Sequence, residues 1–170
     1  MNALFAISLT TGILSGIWGW IAISFGLLSW AGFLGCTSYF ATPHAGLKGL
    51  AQSLCCNLSG VFWAWVMMLL SQFMTWEIIG YVITAFAAFM MCIQAKNALL
   101  AYIPGTFIGC CATFAADGNI ALVIPSLLLG GVFGYTMKAS GEWLHKRSEE
   151  RKESEHGLTL RCNKKAVTPQ

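Results

Sequence analysis

Residues 49–76 read GLAQSLCCNLSGVFWAWVMMLLSQFMTW, and these 28 residues include no charged side chain. The stretch lies between Lys48 and Glu77. A bilayer core of about 30 Å is crossed by roughly 20 apolar residues of helix, so the stretch is long enough for one tilted crossing. It therefore predicts a membrane-spanning helix that carries the amides of Gln52 and Asn57 into the hydrocarbon.

The remaining charges divide the rest of the chain in the same way. Only Lys48, Glu77, Lys96 and Asp117 are charged among the first 137 residues, which leaves charge-free stretches of 47, 28, 18, 20 and 20 residues. The chain has 170 residues and is 10% charged, whereas a soluble domain carries about 25% charged residues. Four stretches fit one helix each and the first fits two. We therefore predict an all-α polytopic membrane protein with six transmembrane helices, at about 4–19, 22–41, 43–73, 78–95, 99–115 and 119–144.

The signs of the charges predict the orientation of the chain. Lys and Arg are retained on the cytoplasmic side, and the other 13 charges lie in the mostly basic residues 138–170. Six crossings then place Lys48 and Lys96 in cytoplasmic turns, Glu77 and Asp117 in outer turns, and both termini in the cytoplasm. An alternative with five crossings, in which the first 47 residues cross once and re-enter, would place the amino terminus outside.

Local patterns predict where some of these helices end. Tryptophans favour the membrane interface, so Trp18 and Trp20 are expected at the outer end of the first span and Trp76 near the same surface. Thr42 followed by Pro43 is typical of a helix N-cap with proline in the first turn, and it predicts the start of the third span there.

An internal repeat is the second strong feature. FLGCTSYFA at 33–41 aligns with FIGCCATFA at 107–115, with five of nine positions identical at an offset of 74. GVF at 60–62 matches GVF at 131–133 at an offset of 71. These matches fall in predicted spans two and five, then three and six, as a duplicated three-span unit requires. Three is odd, so the copies would enter the membrane from opposite sides, as in many transporters.

The repeat gives a division of the chain into two inverted three-helix halves. Repeat one covers about 1–73 and repeat two about 75–144, and residues 145–170 form a charged cytoplasmic tail that we expect to be disordered at its end. The alternative is a chance match between membrane sequences rich in glycine, alanine and phenylalanine.

Small residues recur at the four-residue spacing that allows helix backbones to approach closely in lipid. The glycines that we expect at helix contacts are Gly12, Gly16, Gly35, Gly60, Gly105, Gly109, Gly130 and Gly134. A tight bundle accounts for most of them, and a narrow pore lined by small residues is the functional interpretation of the rest.

Polar groups at membrane depth give the functional hypotheses. No carboxylate lies in the middle of a predicted span, since Glu142 is near the inner end of span six, and this argues against a proton- or ion-coupled pump. We expect a channel or facilitator for a small neutral solute or a protonated weak acid, with Gln52, Asn57, Thr106 and Thr113 along the solute pathway. The competing interpretation makes these groups interhelical hydrogen bonds only. Because six short spans enclose little space, we expect a homo-oligomer embedded in the lipid bilayer.

A non-transporting membrane subunit that scaffolds or regulates a partner protein is the alternative function. An enzyme is not expected, because no serine has a nearby base and no histidine pair has catalytic or metal-binding spacing. The seven cysteines fit small hydrophobic packing residues, so we predict no metal and no cofactor. The chain also has no basic face that would bind nucleic acid.

Several motifs resemble a known family. TTGILSGIWGW at 10–20, LLSWAGFLGCT at 27–37, PGTFIG at 104–109 and ATFA at 112–115 resemble the YcdZ-like family of small bacterial inner membrane proteins, which share a domain of unknown function. The resemblance covers about residues 1–145 and leaves out the tail. It implies a bacterial inner membrane and a helical bundle, and it implies no activity, ligand or catalytic residue.

Overall fold

The structure is a computed structural model that describes residues 2–73 and 77–166, with side chains described for residues 2–73 and 78–152. Within these ranges the chain is helical and contains no β-strand, which confirms the predicted all-α class. Trp76 and the last four residues of the predicted disordered end lie outside the described residues. The α-helices are α1 (Ala3–Ser24), α2 (Ser29–Ala41), α3 (Gly46–Gln72), α4 (Glu77–Ile93), α5 (Ile103–Ala115) and α6 (Ile120–Ala166).

Four of the described helices are long and apolar enough to cross a bilayer, namely α1, α3, α4 and the first part of α6. Helices α2 and α5 have 13 residues each. At 1.5 Å per residue each is about 20 Å long, shorter than the roughly 30 Å of hydrocarbon. The predicted helices over 22–41 and 99–115 are therefore too long, because the absence of charge does not reveal where a helix breaks.

The first break follows α1, which continues to Ser24 instead of ending near residue 19. Gly26 adopts φ +65°, and the N–H groups of Gly26 and Leu27 bond back to the carbonyls of Ile23 and Ala22. This is the Schellman arrangement that closes many helices, and it requires a left-handed residue. The predicted interfacial position of Trp18 is wrong, because its indole is 1% exposed and donates to the Ser29 carbonyl at 3.0 Å.

The other boundaries also differ from the sequence patterns. Thr42 is the C-cap of α2 instead of the N-cap of α3, which begins at Gly46. Residues 94–100 form two 3-10 turns, so α5 begins only at Ile103, with Pro104 in its first turn. Proline is tolerated there because the first-turn N–H groups have no partner within the helix.

The helices form two groups of three. Helices α1 and α2 pack mainly on α6, and helices α4 and α5 pack mainly on α3. We call α1, α2 and α6 the first group, and α3, α4 and α5 the second group. Polar bonds also join helices within a group, as where the Thr10 hydroxyl of α1 donates to the Met137 carbonyl of α6 at 2.9 Å. The first group therefore combines helices that are distant in the sequence, whereas the second consists of three successive helices.

The α2–α6 crossing and the α5–α3 crossing are built alike. In each, two glycines lie so close to the facing backbone that an added Cβ would overlap a carbonyl oxygen. The pairs are Gly35 with Leu127 and Gly130 with Gly32 in the first crossing, and Gly109 with Asn57 and Gly60 with Thr106 in the second. Only glycine permits such backbone contact between helices in lipid.

These pairs relate the two crossings position by position. Corresponding residues of α2 and α5 are 74 positions apart, and the bounds of these two helices differ by the same number. Corresponding residues of α3 and α6 are 70 positions apart. The match of 60–62 with 131–133 gave 71, so the structure shifts that part of the alignment by one residue. Backbone contact, not identity of residue type, sets the register. We call residues related by these offsets matched positions.

The glycines expected at helix contacts fall into two sets. Gly105 lies against the Tyr102 ring and Gly134 against the Cys36 backbone, and both join the four glycines of the crossings. Gly12 and Gly16 meet no atom within 4 Å of an added Cβ. Their role in helix packing stays a prediction, and within one copy of the described chain they contact no other helix.

Helix α6 continues as helix to Ala166, although the composition of residues 157–170 predicts a disordered end. The sequence from 145 onward is rich in Lys, Arg and Glu, which favour helices, and it contains no proline before residue 169. Lys152 Nζ lies 3.4 Å from Glu149 Oε1, and this hydrogen bond holds the pKa of Glu149 below its usual value. With 47 residues, α6 is about 70 Å long, more than twice the hydrocarbon thickness.

The turn after α1 gives a test of the fold. We expect Gly26→Ala to lower the free energy of unfolding by about 1–2 kcal/mol, because a side chain disfavours the left-handed conformation. Gly19→Ala is the matched control, since an added Cβ there meets nothing within 4 Å, and we expect it to stabilise the helix by about 1 kcal/mol. Equilibrium unfolding in mixed micelles measures both. Equal effects of the two variants would contradict the described turn.

Candidate functional site

The four predicted pathway residues lie on two facing helices. Gln52 and Asn57 belong to α3, and Thr106 and Thr113 belong to α5. All four are almost fully buried, at 3%, 1%, 0% and 0% exposure respectively. Helices α3 and α5 touch through backbone at Gly60 and Gly109, so these polar groups lie within a tight helix interface. Their individual bonds decide which of them has capacity left for a ligand.

Gln52 connects two turns. Its Nε2 donates to the Ala98 carbonyl at 2.9 Å, and its Oε1 accepts from the Thr42 hydroxyl at 3.3 Å. Thr42 ends α2 and Ala98 begins the second 3-10 turn. The amide therefore bonds to the α2–α3 and α4–α5 connections, which is a structural use of a buried amide.

Thr106 belongs to a second network, which centres on Gln94. Gln94 Nε2 lies 3.3 Å from the Thr106 hydroxyl, and Gln94 Oε1 accepts from Ser59 at 2.8 Å and from Trp63 Nε1 at 3.2 Å. Thr113, in contrast, donates to the Gly109 carbonyl of its own helix at 2.9 Å. Among the described side chains neither threonine is hydrogen-bonded to Asn57, so the structure does not join the four candidates into one network.

Asn57 lies in a third set of polar groups. Ser53 donates to the Ser38 hydroxyl at 2.8 Å, and Ser38 donates to Asn57 Oδ1 at 2.8 Å. The phenol of Tyr102 lies beside Ser38. We call Ser38, Ser53, Asn57 and Tyr102 the polar cluster. Because Ser38 belongs to α2 and the two others in the chain of bonds belong to α3, the cluster joins the two helix groups.

The polar cluster contains hydrogen-bonding capacity that the protein does not use. Among side chains that the structure describes, the buried atoms without a partner are Thr11 Oγ1, Asn57 Nδ2 and the Tyr102 hydroxyl. Tyr102 is near Ser38, yet the pair does not reach hydrogen-bond geometry. Two of the three atoms thus lie in this cluster, on side chains that are 1% and 5% exposed. Each unsatisfied buried group costs about 1–3 kcal/mol.

The matched positions of the other crossing provide an internal comparison. There the same places are taken by apolar residues: Ala112 for Ser38, Val123 for Ser53, Leu127 for Asn57 and Leu28 for Tyr102. Ala112, Val123 and Leu127 are fully buried in one hydrophobic cluster, and Leu28 packs against it. We call these four residues the apolar cluster.

Comparing the polar cluster with the apolar cluster indicates which side chains the packing beside a helix crossing requires. Both clusters fill the space beside equivalent helix crossings, and the apolar cluster does so without any buried polar side chain among its four members. The fold is therefore satisfied by alanine, valine and leucine at these positions. The polar cluster, in contrast, contains two buried polar atoms without a partner, and groups that cost free energy in this way are often found at functional sites.

Of the polar cluster, Asn57 was predicted from the sequence as a pathway residue, whereas Ser38, Ser53 and Tyr102 were not. The repeat carried a usable signal for Ser38, because FLGCTSYFA places a serine where FIGCCATFA has Ala112. Because the sequence match gave an offset of 71 instead of 70, it did not pair Asn57 with Leu127. No local pattern marks Tyr102, which precedes α5 and enters the cluster only through the fold.

Other features of the described chain point to different chemistry or to none. No group of three His, Cys, Asp or Glu side chains that could hold a metal ion occurs in the described part of the chain. A groove of about 340 Å³ lies between α3, α4 and α5 and is lined by Met67, Ser71, Gly80, Tyr81, Ile83, Thr84 and Phe114. None of the predicted pathway residues lines that groove.

These observations define a class. Four helices of spanning length, and outward apolar side chains such as Ile23 at 81% and Ile78 at 70% exposure, are those of a polytopic integral membrane protein. The family described as "Protein of unknown function (DUF1097)" matches residues 8–142. The chain belongs to this family.

Individual relatives agree with the family assignment. Inner membrane protein YcdZ of Escherichia coli strain K12 is 64% identical over 149 residues, which is 87% of this chain and 91% of the relative. Inner membrane protein YcdZ of Salmonella typhimurium strain LT2 is 60% identical over 151 residues, 88% of this chain and 94% of the relative. The uncharacterized protein YahC of E. coli K12 is 30% identical over 165 residues, 89% and 98% of the two chains. No solved structure matches.

Proposed function

We propose that the protein is a channel or facilitator of the bacterial inner membrane for a small neutral solute or a protonated weak acid. The observation that carries the proposal is the polar cluster, which lies buried between the two helix groups where the matched crossing is apolar. Its side chains are hydroxyls and an amide, with no formal charge among them at neutral pH. A neutral solute therefore fits the site without an uncompensated charge.

The proposal places the two groups in an inverted repeat with six crossings and both termini in the cytoplasm. The equal lengths of α2 and α5 and the matched glycine contacts support this arrangement. The turn before α2 and the two 3-10 turns before α5 would supply the length that a helix of about 20 Å lacks. With Lys48 and Lys96 cytoplasmic, the polar cluster belongs to the cytoplasmic half and the apolar cluster to the outer half.

Passage then requires motion between the groups. The backbone contacts at Gly60 and Gly109 leave no opening between α3 and α5, and Gly35 and Gly130 do the same between α2 and α6. Both contacts lie within groups, whereas the Ser38–Asn57 bond lies between them. Rocking of one group against the other would expose the polar cluster while each crossing stays intact, as in other transporters built from repeats. We also propose a homo-oligomer, because one copy encloses little space.

Solute flux into proteoliposomes tests the function. We expect stopped-flow light scattering to give entry of small neutral solutes well above empty vesicles, and Asn57→Leu to remove the excess. Thr84→Val is the matched control, because Thr84 is exposed and bonds only the Gly80 carbonyl of its own helix. Absence of excess flux over a broad panel of neutral solutes and weak acids, from vesicles that contain folded protein, would sink the proposal.

The long α6 supports a second candidate function, a scaffold or regulatory subunit for a partner protein. Beyond Leu144 the helix continues as far as Ala166, and the sequence of this part is rich in charged residues. The same flux assay separates the candidates when residues 146–170 are removed. A channel keeps its flux after the truncation, whereas a scaffold has no flux of its own and loses its partner in cross-linking.

A further inference from the structure

We infer that the polar cluster binds its solute through a carbonyl oxygen, which accepts hydrogen bonds from the Asn57 amide and the Tyr102 hydroxyl. The inference rests on the proposed function and deepens it by naming the chemical class of the solute: small amides, ureas and protonated carboxylic acids. The inference is supported by two buried groups without a hydrogen-bond partner, Asn57 Nδ2 and the Tyr102 hydroxyl, on side chains that are 1% and 5% exposed. Both belong to one cluster, and each can donate a hydrogen bond.

The hydrogen bonds that are already made decide what remains for a ligand. Asn57 Oδ1 accepts from Ser38, and Ser38 accepts from Ser53, so the acceptors of the cluster are partly occupied. The free capacity is the Asn57 N–H group and the Tyr102 O–H group. A carbonyl oxygen has two lone pairs and no proton, so it can accept both bonds at once. In a hydroxyl solute the accepting oxygen itself carries a proton that needs an acceptor within the cluster, whereas in an amide or a protonated acid the donor group lies on a separate atom.

The charge of the polar cluster and the residues at the matched positions narrow the chemical class of the solute further. The four side chains of the cluster include no cation that would balance a carboxylate, so a weak acid must enter in its protonated form. At the matched positions Leu127 and Leu28 present no hydrogen-bonding group, and the apolar cluster has nothing to hold a carbonyl. Within the described residues, the binding site is therefore present once, between the two helix groups and beside the second crossing.

Tyr102→Phe tests the inference, because it removes one unpartnered oxygen and keeps the ring that lies against Gly105. Acetamide and ethylene glycol serve as probes of similar size, one with a carbonyl and one with hydroxyls only. In wild-type proteoliposomes we expect acetamide to enter faster than ethylene glycol. In Tyr102→Phe we expect acetamide flux to fall by roughly three- to tenfold, the loss of one neutral hydrogen bond, and ethylene glycol flux to fall by a smaller factor.

Tyr81→Phe is the matched control, since Tyr81 is 74% exposed on α4, and we expect it to change neither flux. The thermal midpoint of Tyr102→Phe should equal or exceed that of the wild type, because the missing hydroxyl had no partner. If both solutes pass through the wild type and Tyr102→Phe changes neither, the donors hold only a buried water and the inference is overturned while the proposed function stands. An equal loss for both solutes would also overturn it. Absence of all flux in the wild type refutes the proposed function itself.

Discussion

We expect the triple variant Ser38→Ala, Ser53→Val and Asn57→Leu to be more stable than the wild type and to have lost solute flux. It replaces three of the four residues of the polar cluster by their apolar counterparts. The three substitutions install the residues that occupy the matched positions Ala112, Val123 and Leu127. They remove the unpartnered Asn57 amide together with both serines of the hydrogen-bonded chain, so the Tyr102 hydroxyl, which already lacks a partner, is the one polar group of the cluster that stays. We expect a gain of about 1–3 kcal/mol in the free energy of unfolding, the cost of one unsatisfied buried group.

The reverse exchange is the control for this prediction. Ala112→Ser, Val123→Ser and Leu127→Asn would place the polar set in the apolar cluster, where the space is fully buried. We expect that variant to lose about 2–5 kcal/mol through lost apolar contact and buried polar groups. Unfolding in mixed micelles and flux in proteoliposomes measure both variants. If the first variant is less stable than the wild type by a similar amount, the polar cluster is interhelical glue and its functional role is refuted.

The glycines of the two crossings should be intolerant of any side chain. We expect Gly60→Ala and Gly130→Ala each to cost more than about 3 kcal/mol, because an added Cβ overlaps the Thr106 or Gly32 carbonyl oxygen and the backbones must separate. The two losses should be similar, since the residues occupy matched positions. Equilibrium unfolding in mixed micelles is the measurement.

Gly16→Ala is the matched control for the crossing glycines. It changes the same residue type in a helix interior, where an added Cβ meets nothing within 4 Å. We expect a gain of about 1 kcal/mol, which is the difference in helix propensity between alanine and glycine. Comparable losses at Gly16 and Gly60 would contradict the described contacts, and a loss at Gly16 alone would place a second copy of the chain on that face of α1.

Whether a residue of this site could be predicted from sequence depended on how far along the chain its contacts reach. The amide of Asn57 was recognisable because a charge-free stretch put it in hydrocarbon, whatever its neighbours. Gln52 was recognised by the same argument, although its bonds to Thr42 and Ala98 give it a structural use. Ser38 and Tyr102 were missed because each meets the other members of the polar cluster only through contacts that the packing of different helices creates.

The helix boundaries show the same limit. Charge spacing located the membrane segments, but the ends of α1 and the start of α5 were misplaced. Gly26 ends α1 by a left-handed turn, and the glycine content of the chain gave no means of choosing it among 18. The turn forms there because Leu27 and Gly26 find carbonyl acceptors in the last turn of the helix.

By itself the sequence determined that the chain is a helical membrane protein whose polar side chains avoid formal charge within the hydrocarbon. It could do so because the cost of a charge in lipid belongs to each residue alone. Tertiary structure alone decided the register in which the two helix crossings match, and that the cluster beside one of them is polar with two hydrogen-bonding groups unused. Those facts depend on contacts such as Ser38 with Asn57, 19 positions apart, and Thr10 with Met137, 127 positions apart. Burial and pairing are properties of such contacts, so they appear only when the helices have packed.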